Sequence, residues 1–228
     1  MKVNDTENKV VVRIPPSPTG NLHLGTARLA LFNYLFAKQH NGKVIFRFED
    51  TDIARNKPEF EVNVIESLQW LGINWDNEKI YKQTERSPEY RVYLEKIIAS
   101  GHAYISKEVV EEEGQRAEVI RFKNPNKVIT FQDEIRGEIT FDTTDLGDFV
   151  IAKSLDEPIY HFAVVADDFD MGITHVIRGD DGISNTPRQI LIQEAIGAPR
   201  PIYAHLPMIL GSDKTKLSKG NANSISLS

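Results

Sequence analysis

The chain has 228 residues, enough for one or two domains with a sizeable core. Its 40% hydrophobic and 26% charged content is that of an ordinary soluble globular protein, and no apolar run reaches the roughly 18 residues of a membrane span. The absence of cysteine excludes disulfides and thiolate metal sites, and a net charge of -6 confines any nucleic-acid contact to a local basic surface.

Residues 1–9, MKVNDTENK, lack the apolar core of a signal peptide, so a cytoplasmic location is expected. Val10 to Val12 and Ile14 read as a short apolar strand that Pro15, Pro16 and Pro18 must end, because none of them can donate to a ladder. Gly20 turns the chain, and from Thr26 the residues Ala27, Ala30, Leu31, Tyr34 and Leu35 recur at helical spacing. His23-Leu24-Gly25-Thr26 therefore sits where a strand hands over to a helix N-terminus. The N–H groups and dipole there suit a phosphate, Gly25 allows close approach, and His23 adds a donor. Asn41-Gly42 closes the helix.

Residues 43–48 read as a buried strand that delivers Glu49, Asp50, Thr51 and Asp52 at its carboxyl end, where ligands sit in an open α/β sheet. Pro58 opens a helix with Phe60, Val64, Ile65, Leu68 and Leu71 inward, and Trp70 and Trp75 are expected to pack. Ser87-Pro88 opens another helix that ends near Gly101. The composition shifts near Ala103, and short β-like runs follow at 118–123, 128–132, 135–141 and 148–153. Residues 159–165 read as a returning core strand, 174–177 as the next, ending in Arg178-Gly179-Asp180-Asp181. Ser184 or Asn185 caps a helix that runs to Gly197, and 202–206 is the last strand. A polar loop carrying Lys216-Leu217-Ser218-Lys219-Gly220 comes after it.

Each piece has an ordinary reading on its own. A His before a Gly is usually structural, an acidic cluster after a strand is usually a solvated turn, and two lysines three apart are usually solvated charge. Together, PSPTGNLHLGT, FRFEDTD and KLSKG resemble the signatures of the class I aminoacyl-tRNA synthetases, with the wording of the glutamyl type, and the resemblance covers residues 10–220.

The resemblance implies an α/β fold: a Rossmann-like, doubly wound parallel sheet with a small β-rich inserted module. Residues 1–102 would form the first half of the catalytic core, 103–155 an inserted module that binds the tRNA acceptor end, and 156–228 the second half with the KLSKG loop. It also implies ATP with magnesium, glutamate, and the acceptor end of tRNA(Glu) as partners. The reaction would be formation of glutamyl-adenylate and transfer of the glutamyl group to the 3' end of tRNA. His23, Gly25, Thr26, Lys216 and Lys219 would stabilise charge as pyrophosphate leaves, with Leu217 and Ser218 completing the ATP-binding set. Arg13 and Arg178 would fork the side-chain carboxylate of glutamate, while Ser17, Glu49 and Tyr160 hold its amino and carboxylate groups.

Some relatives carry cysteine and histidine zinc ligands in the insertion. This chain has neither the cysteines nor the length, so no zinc or other protein-held metal is expected. A monomer without membrane contact is expected. Two departures stand out: Gly220-Asn221-Ala222-Asn223 replaces a more basic stretch, and Gly182 stands where relatives have an aromatic residue or His. Relatives also run to more than twice this length, so the anticodon-binding domain is expected to be absent, the chain being a catalytic part or a naturally stripped paralogue. Two alternatives remain open. A truncated relative that glutamylates a modified tRNA base is opposed by the lack of cysteines. A non-catalytic tRNA- or nucleotide-binding module is opposed by the retained His23, Lys216 and Lys219.

Overall fold

The computed structural model describes residues 9–110 and 116–209. Lys216, Leu217, Ser218 and Lys219 lie outside the described residues.

Strand β1 (Val11–Ile14) leads through the proline-rich turn into helix α1 (Leu24–Gln39) and back to strand β2 (Lys43–Phe48). The two strands are parallel, with Arg13 opposite Ile45. The crossover returns so tightly that a Cβ on Gly42 would lie 2.4 Å from the Val10 carbonyl oxygen, a gap only glycine can leave. Helix α2 (Pro58–Trp70) opens on its proline, and the two-residue strand β3 (Tyr81–Lys82) pairs parallel with β2. Helix α3 (Ser87–Ala99) follows.

The chain then builds β4 (Ala103–Lys107), β5 (Glu118–Phe122), β6 (Val128–Asp133), β7 (Gly137–Asp142), β8 (Phe149–Ser154) and β9 (Glu157–Pro158). Helix α4 (Tyr160–Asp170), strand β10 (His175–Gly179), helix α5 (Thr186–Ile196) and strand β11 (Ile202–Leu206) complete the described chain.

Three sheets result, ordered β1-β2-β3, β4-β5-β8-β9 and β10-β11-β6-β7. The first and third meet along β1 and β10. The Thr174 amide donates to Val11 O at 2.9 Å, and the Val11 amide donates to the Thr174 hydroxyl at 2.8 Å. The β6–β7 hairpin extends the third sheet: Asp133 pairs with Tyr203 of β11, and the Glu134 amide donates to Tyr203 O. One hydrophobic core joins α3, α4 and α5 to the strands after residue 103. A second lies between α1, α2 and the β1–β2 pair.

Four expectations need correction. Residues 159–165 are not a strand; they open helix α4. A short, wholly apolar run carries no periodicity to separate helix from strand, and here every position from Phe162 to Asp168 is buried, whichever way it faces. Helix α1 begins at Leu24, two residues before the expected start, because His23 caps it. Its core face is Ala27, Ala30, Asn33 and Ala37, leaving Leu31 and Leu35 exposed. Small residues let α1 approach the sheet closely, and burial selected them over the larger side chains on the flank. Trp75 packs as expected, stacked on Phe46 with ring centroids 4.5 Å apart, but Trp70 is 78% exposed at the end of α2.

Candidate active site

The carboxyl ends of β1, β2 and β10 converge on one cavity of about 370 Å³. β1 contributes Arg13 and runs into Ser17, β2 ends at Glu49, and β10 brings Arg178. Helix α1 presents His23 and Thr26 to the same space, and Tyr160 enters from the first turn of α4. Seven of the residues singled out from the sequence thus line one hollow although 165 positions separate Arg13 from Arg178. Gly25 lies behind His23 and is not on the cavity wall.

The His23 ring is held at both nitrogens. Nδ1 accepts the Gly25 amide at 3.1 Å, and Nε2 lies 3.0 Å from the Thr26 hydroxyl. With Nδ1 an acceptor, a neutral ring carries its proton on Nε2 and donates it to Thr26. The close approach that Gly25 permits is that of this ring: a Cβ there would lie 3.0 Å from its Cε1. His23 is therefore the N-cap of α1, satisfying one of the amides a helix start leaves unpaired.

A buried ion network underlies the other wall. Arg47, wholly buried, donates to Asp168 Oδ1 at 2.6 Å and to Glu49 Oε1 at 3.0 Å. The same Asp168 oxygen lies 3.5 Å from Arg13 Nε. Burial alone would lower the Arg47 pKa, but Asp168, then Asp167 and Glu49, hold it well above its ordinary value. Burial pushes the Glu49 carboxyl up, against the pull of Arg47 and Arg13. Burial also raises the Tyr160 phenol, with Glu49 adding to it. Of the acidic run after β2, only Glu49 faces the cavity. Asp50 accepts the amide and hydroxyl of Thr84, and Asp52 pairs with Arg55.

Arg178 is caged. Its Nε donates to His205 Nε2 at 3.0 Å, Nη1 to Gln189 Oε1 at 2.8 Å and Nη2 to the Thr186 hydroxyl at 2.8 Å. Three of its five N–H groups are thereby committed. The cage has room because residue 182 is glycine: a Cβ there would fall 2.6 Å from Arg178 Nε.

Sequence reading missed Asn33 on the cavity wall, which donates to Ile177 O at 3.0 Å and fixes β10 against α1. It also missed Arg47, Asp168, His205 and Asp133, which act from behind. A buried Asn on a helix face and charged residues inside apolar strands are the signals that could have found them. Among the described residues, no group of three or more His, Cys, Asp or Glu is placed to hold a metal ion, and no helix is long and apolar enough to cross a membrane.

Tyr160 also borders a neighbouring cavity of about 570 Å³, lined by Thr51, Asp52, Thr84, Lys153 and the β8–β9 turn.

Comparison with known proteins finds the family described as tRNA synthetases class I (E and Q), catalytic domain, matching residues 9–118 and 105–227. Glutamate–tRNA ligase of Aquifex aeolicus (strain VF5) is 48% identical over 246 aligned positions, covering 93% of this chain and 52% of that protein. The glutamate–tRNA ligase of Hydrogenobaculum sp. (strain Y04AAS1) is 48% identical, covering 92% of this chain and 52% of that protein. The crystal structure of a glutamate tRNA ligase from Elizabethkingia meningosepticum CCUG26117, in complex with its amino acid, superposes with a TM-score of 0.86 at 37% identity. It covers 92% of this chain and 52% of that one. The chain spans about half the length of the curated relatives it matches.

Proposed function

Because this chain belongs to the catalytic-domain family of the class I tRNA synthetases for glutamate and glutamine, we propose that it activates glutamate with ATP and passes the glutamyl group to the 3' end of tRNA(Glu). The observation that carries this reading is the charge set of the cavity. Two buried guanidiniums, Arg13 and Arg178, and the nearly buried carboxylate of Glu49 complement the two carboxylates and one ammonium of glutamate.

In this reading Arg13 and Arg178 take the side-chain carboxylate, and Glu49, with Ser17 and Tyr160, holds the α-amino and α-carboxylate groups. An α-carboxylate oxygen attacks the α-phosphorus of ATP, and the bond to pyrophosphate breaks. His23 and Thr26, with Gly25 behind them, present the start of α1 to the phosphates, where donors and dipole favour the charge that builds up. Lys216, Leu217, Ser218 and Lys219, outside the described residues, would hold the triphosphate. Magnesium arrives with ATP as part of that substrate. A ribose hydroxyl of the terminal adenosine then attacks the carbonyl carbon and AMP leaves, with the neighbouring cavity beside Tyr160 as the way in.

ATP–pyrophosphate exchange with each of the twenty amino acids, with and without tRNA, tests this. Exchange that depends on glutamate supports the reading. Exchange with another amino acid, or none under either condition, rules it out.

A further inference from the structure

His205 lies near the carboxyl end of β11, fully buried. Its two ring nitrogens face opposite partners. Nδ1 is 2.5 Å from Asp133 Oδ2, and Nε2 is 3.0 Å from Arg178 Nε. Arg178 can only donate, so Nε2 must accept, and the ring must carry its proton on Nδ1, where the Asp133 carboxylate takes it. A protonated ring would turn a second donor toward the guanidinium.

Asp133 has no freedom to do otherwise. Its Oδ1 accepts three backbone amides: Ile135 at 3.0 Å, Arg136 at 2.9 Å and His205 at 3.2 Å. Those bonds fix the carboxylate in the β6–β7 turn and aim Oδ2 at the ring. The line Asp133–His205–Arg178 therefore runs from the turn of an inserted hairpin, across β11, to a wall of the candidate glutamate site.

We propose that Asp133 and His205 are positioning residues for Arg178: the carboxylate selects the Nδ1–H form of the ring, whose Nε2 then holds the guanidinium in register for the side-chain carboxylate of the amino-acid substrate. The proposal rests on Arg178 being that carboxylate's ligand, as read above. Gln189 and Thr186 grip the two terminal nitrogens but leave rotation about the far end of the side chain open; the bond at Nε closes it. The hairpin is thereby part of the substrate site although none of its side chains borders the cavity.

Asp133→Asn is the sharp test. The three backbone amides keep the side-chain oxygen at Oδ1, so the amide nitrogen replaces Oδ2 and donates to His205 Nδ1. The ring must then move its proton to Nε2, which faces a donor with a donor, as when the carboxylate behind a catalytic histidine becomes an amide. Two readouts separate the steps. Nitrogen-15 spectra of the ring, recorded without substrate, should show Nδ1–H in the wild type and Nε2–H in Asp133→Asn; an unchanged tautomer overturns the proposal. Calorimetric titration should then show glutamate bound about tenfold or more weakly, the scale of losing a partner that orients a ligand, with ATP affinity within about twofold.

Arg178→Ala is run alongside. If it weakens glutamate while Asp133→Asn, with an inverted ring, does not, the positioning role is wrong and the substrate reading stands. If Arg178→Ala leaves glutamate affinity intact, the substrate reading has failed, and the role fails with it. Should Asp133→Asn not fold, His205→Gln, whose amide oxygen can stand in for Nε2, should keep more glutamate affinity than His205→Asn. Equal losses in the two variants overturn the proposal.

Discussion

Arg47 Nη1 donates to Asp168 Oδ1 at 2.6 Å, joining a wholly buried guanidinium of β2 to a nearly buried carboxylate of α4. That oxygen also lies 3.5 Å from Arg13 Nε, so one carboxylate serves two guanidiniums at the candidate site. Asp168→Asn keeps the shape and removes the charge. Leaving buried cations short of a partner costs about 3–5 kcal/mol, and urea unfolding should register a loss in that range. A loss below about 1 kcal/mol would mean that Asp167 and Glu49 suffice to hold Arg47.

Gly182 and Arg178 make a second pair that can be tested. A Cβ at 182 would meet Arg178 at Nε (2.6 Å), Cδ (2.8 Å) and Cζ (3.2 Å), so the arginine must swing out of its cage. Gly182→Ala should weaken glutamate binding about tenfold or more, with ATP binding unaffected, since a charge-assisted carboxylate contact is worth about 1.5–3 kcal/mol. A crystal structure of the variant with Arg178 unmoved would refute the account.

The pH dependence of stability has a local source in His161. Burial, with Arg188 and Arg178 nearby, lowers its pKa from 6.5 to about 4, and its Nδ1 is buried without a hydrogen-bond partner. The unfolded chain therefore takes up the proton first as pH falls. The contribution is fully present above about pH 6.5 and is lost on the way down to about pH 4, at no more than about 1.4 kcal/mol per pH unit. His205 and His175 are also lowered by burial, so the wild-type slope is a sum. His161→Phe should flatten that slope between pH 6.5 and 4 in urea titrations. Parallel curves for the two proteins would place the acid sensitivity elsewhere.

Where sequence spoke plainly, it did so through positions whose backbone chemistry is restrictive. The prolines after Ile14 end β1, Pro58 opens α2, and strands β2 and β11 run from Lys43 to Phe48 and from Ile202 to Leu206 as their apolar runs suggest. Arg13, Ser17, His23, Thr26, Glu49, Tyr160 and Arg178 were legible because short motifs carried them, and they share one cavity. The roles of Asp168, His205 and Asp133 were illegible for a physical reason. Each acts through a partner 27 to 155 positions away, and nothing local marks a buried charge as paired. Helix α4 was misread because an element buried all round shows no polar face to betray its period.

His23 now has two separable duties. Its ring caps α1 through Nδ1, and its Nε2 sits with Thr26 at the cavity wall. His23→Ala removes both. Loss of the cap should cost about 0.5–2 kcal/mol of stability, and loss of a donor at the phosphates should slow glutamate-dependent pyrophosphate exchange by about 100- to 1,000-fold. His23→Asn divides them, because the asparagine oxygen is a good cap acceptor while the shorter side chain cannot reach where Nε2 stands. Its stability should return to within about 0.5 kcal/mol of wild type while exchange stays as slow as in His23→Ala. If asparagine restores the rate along with the stability, His23 acts only by holding the helix start in place, and the charge that develops on ATP is stabilised by other groups.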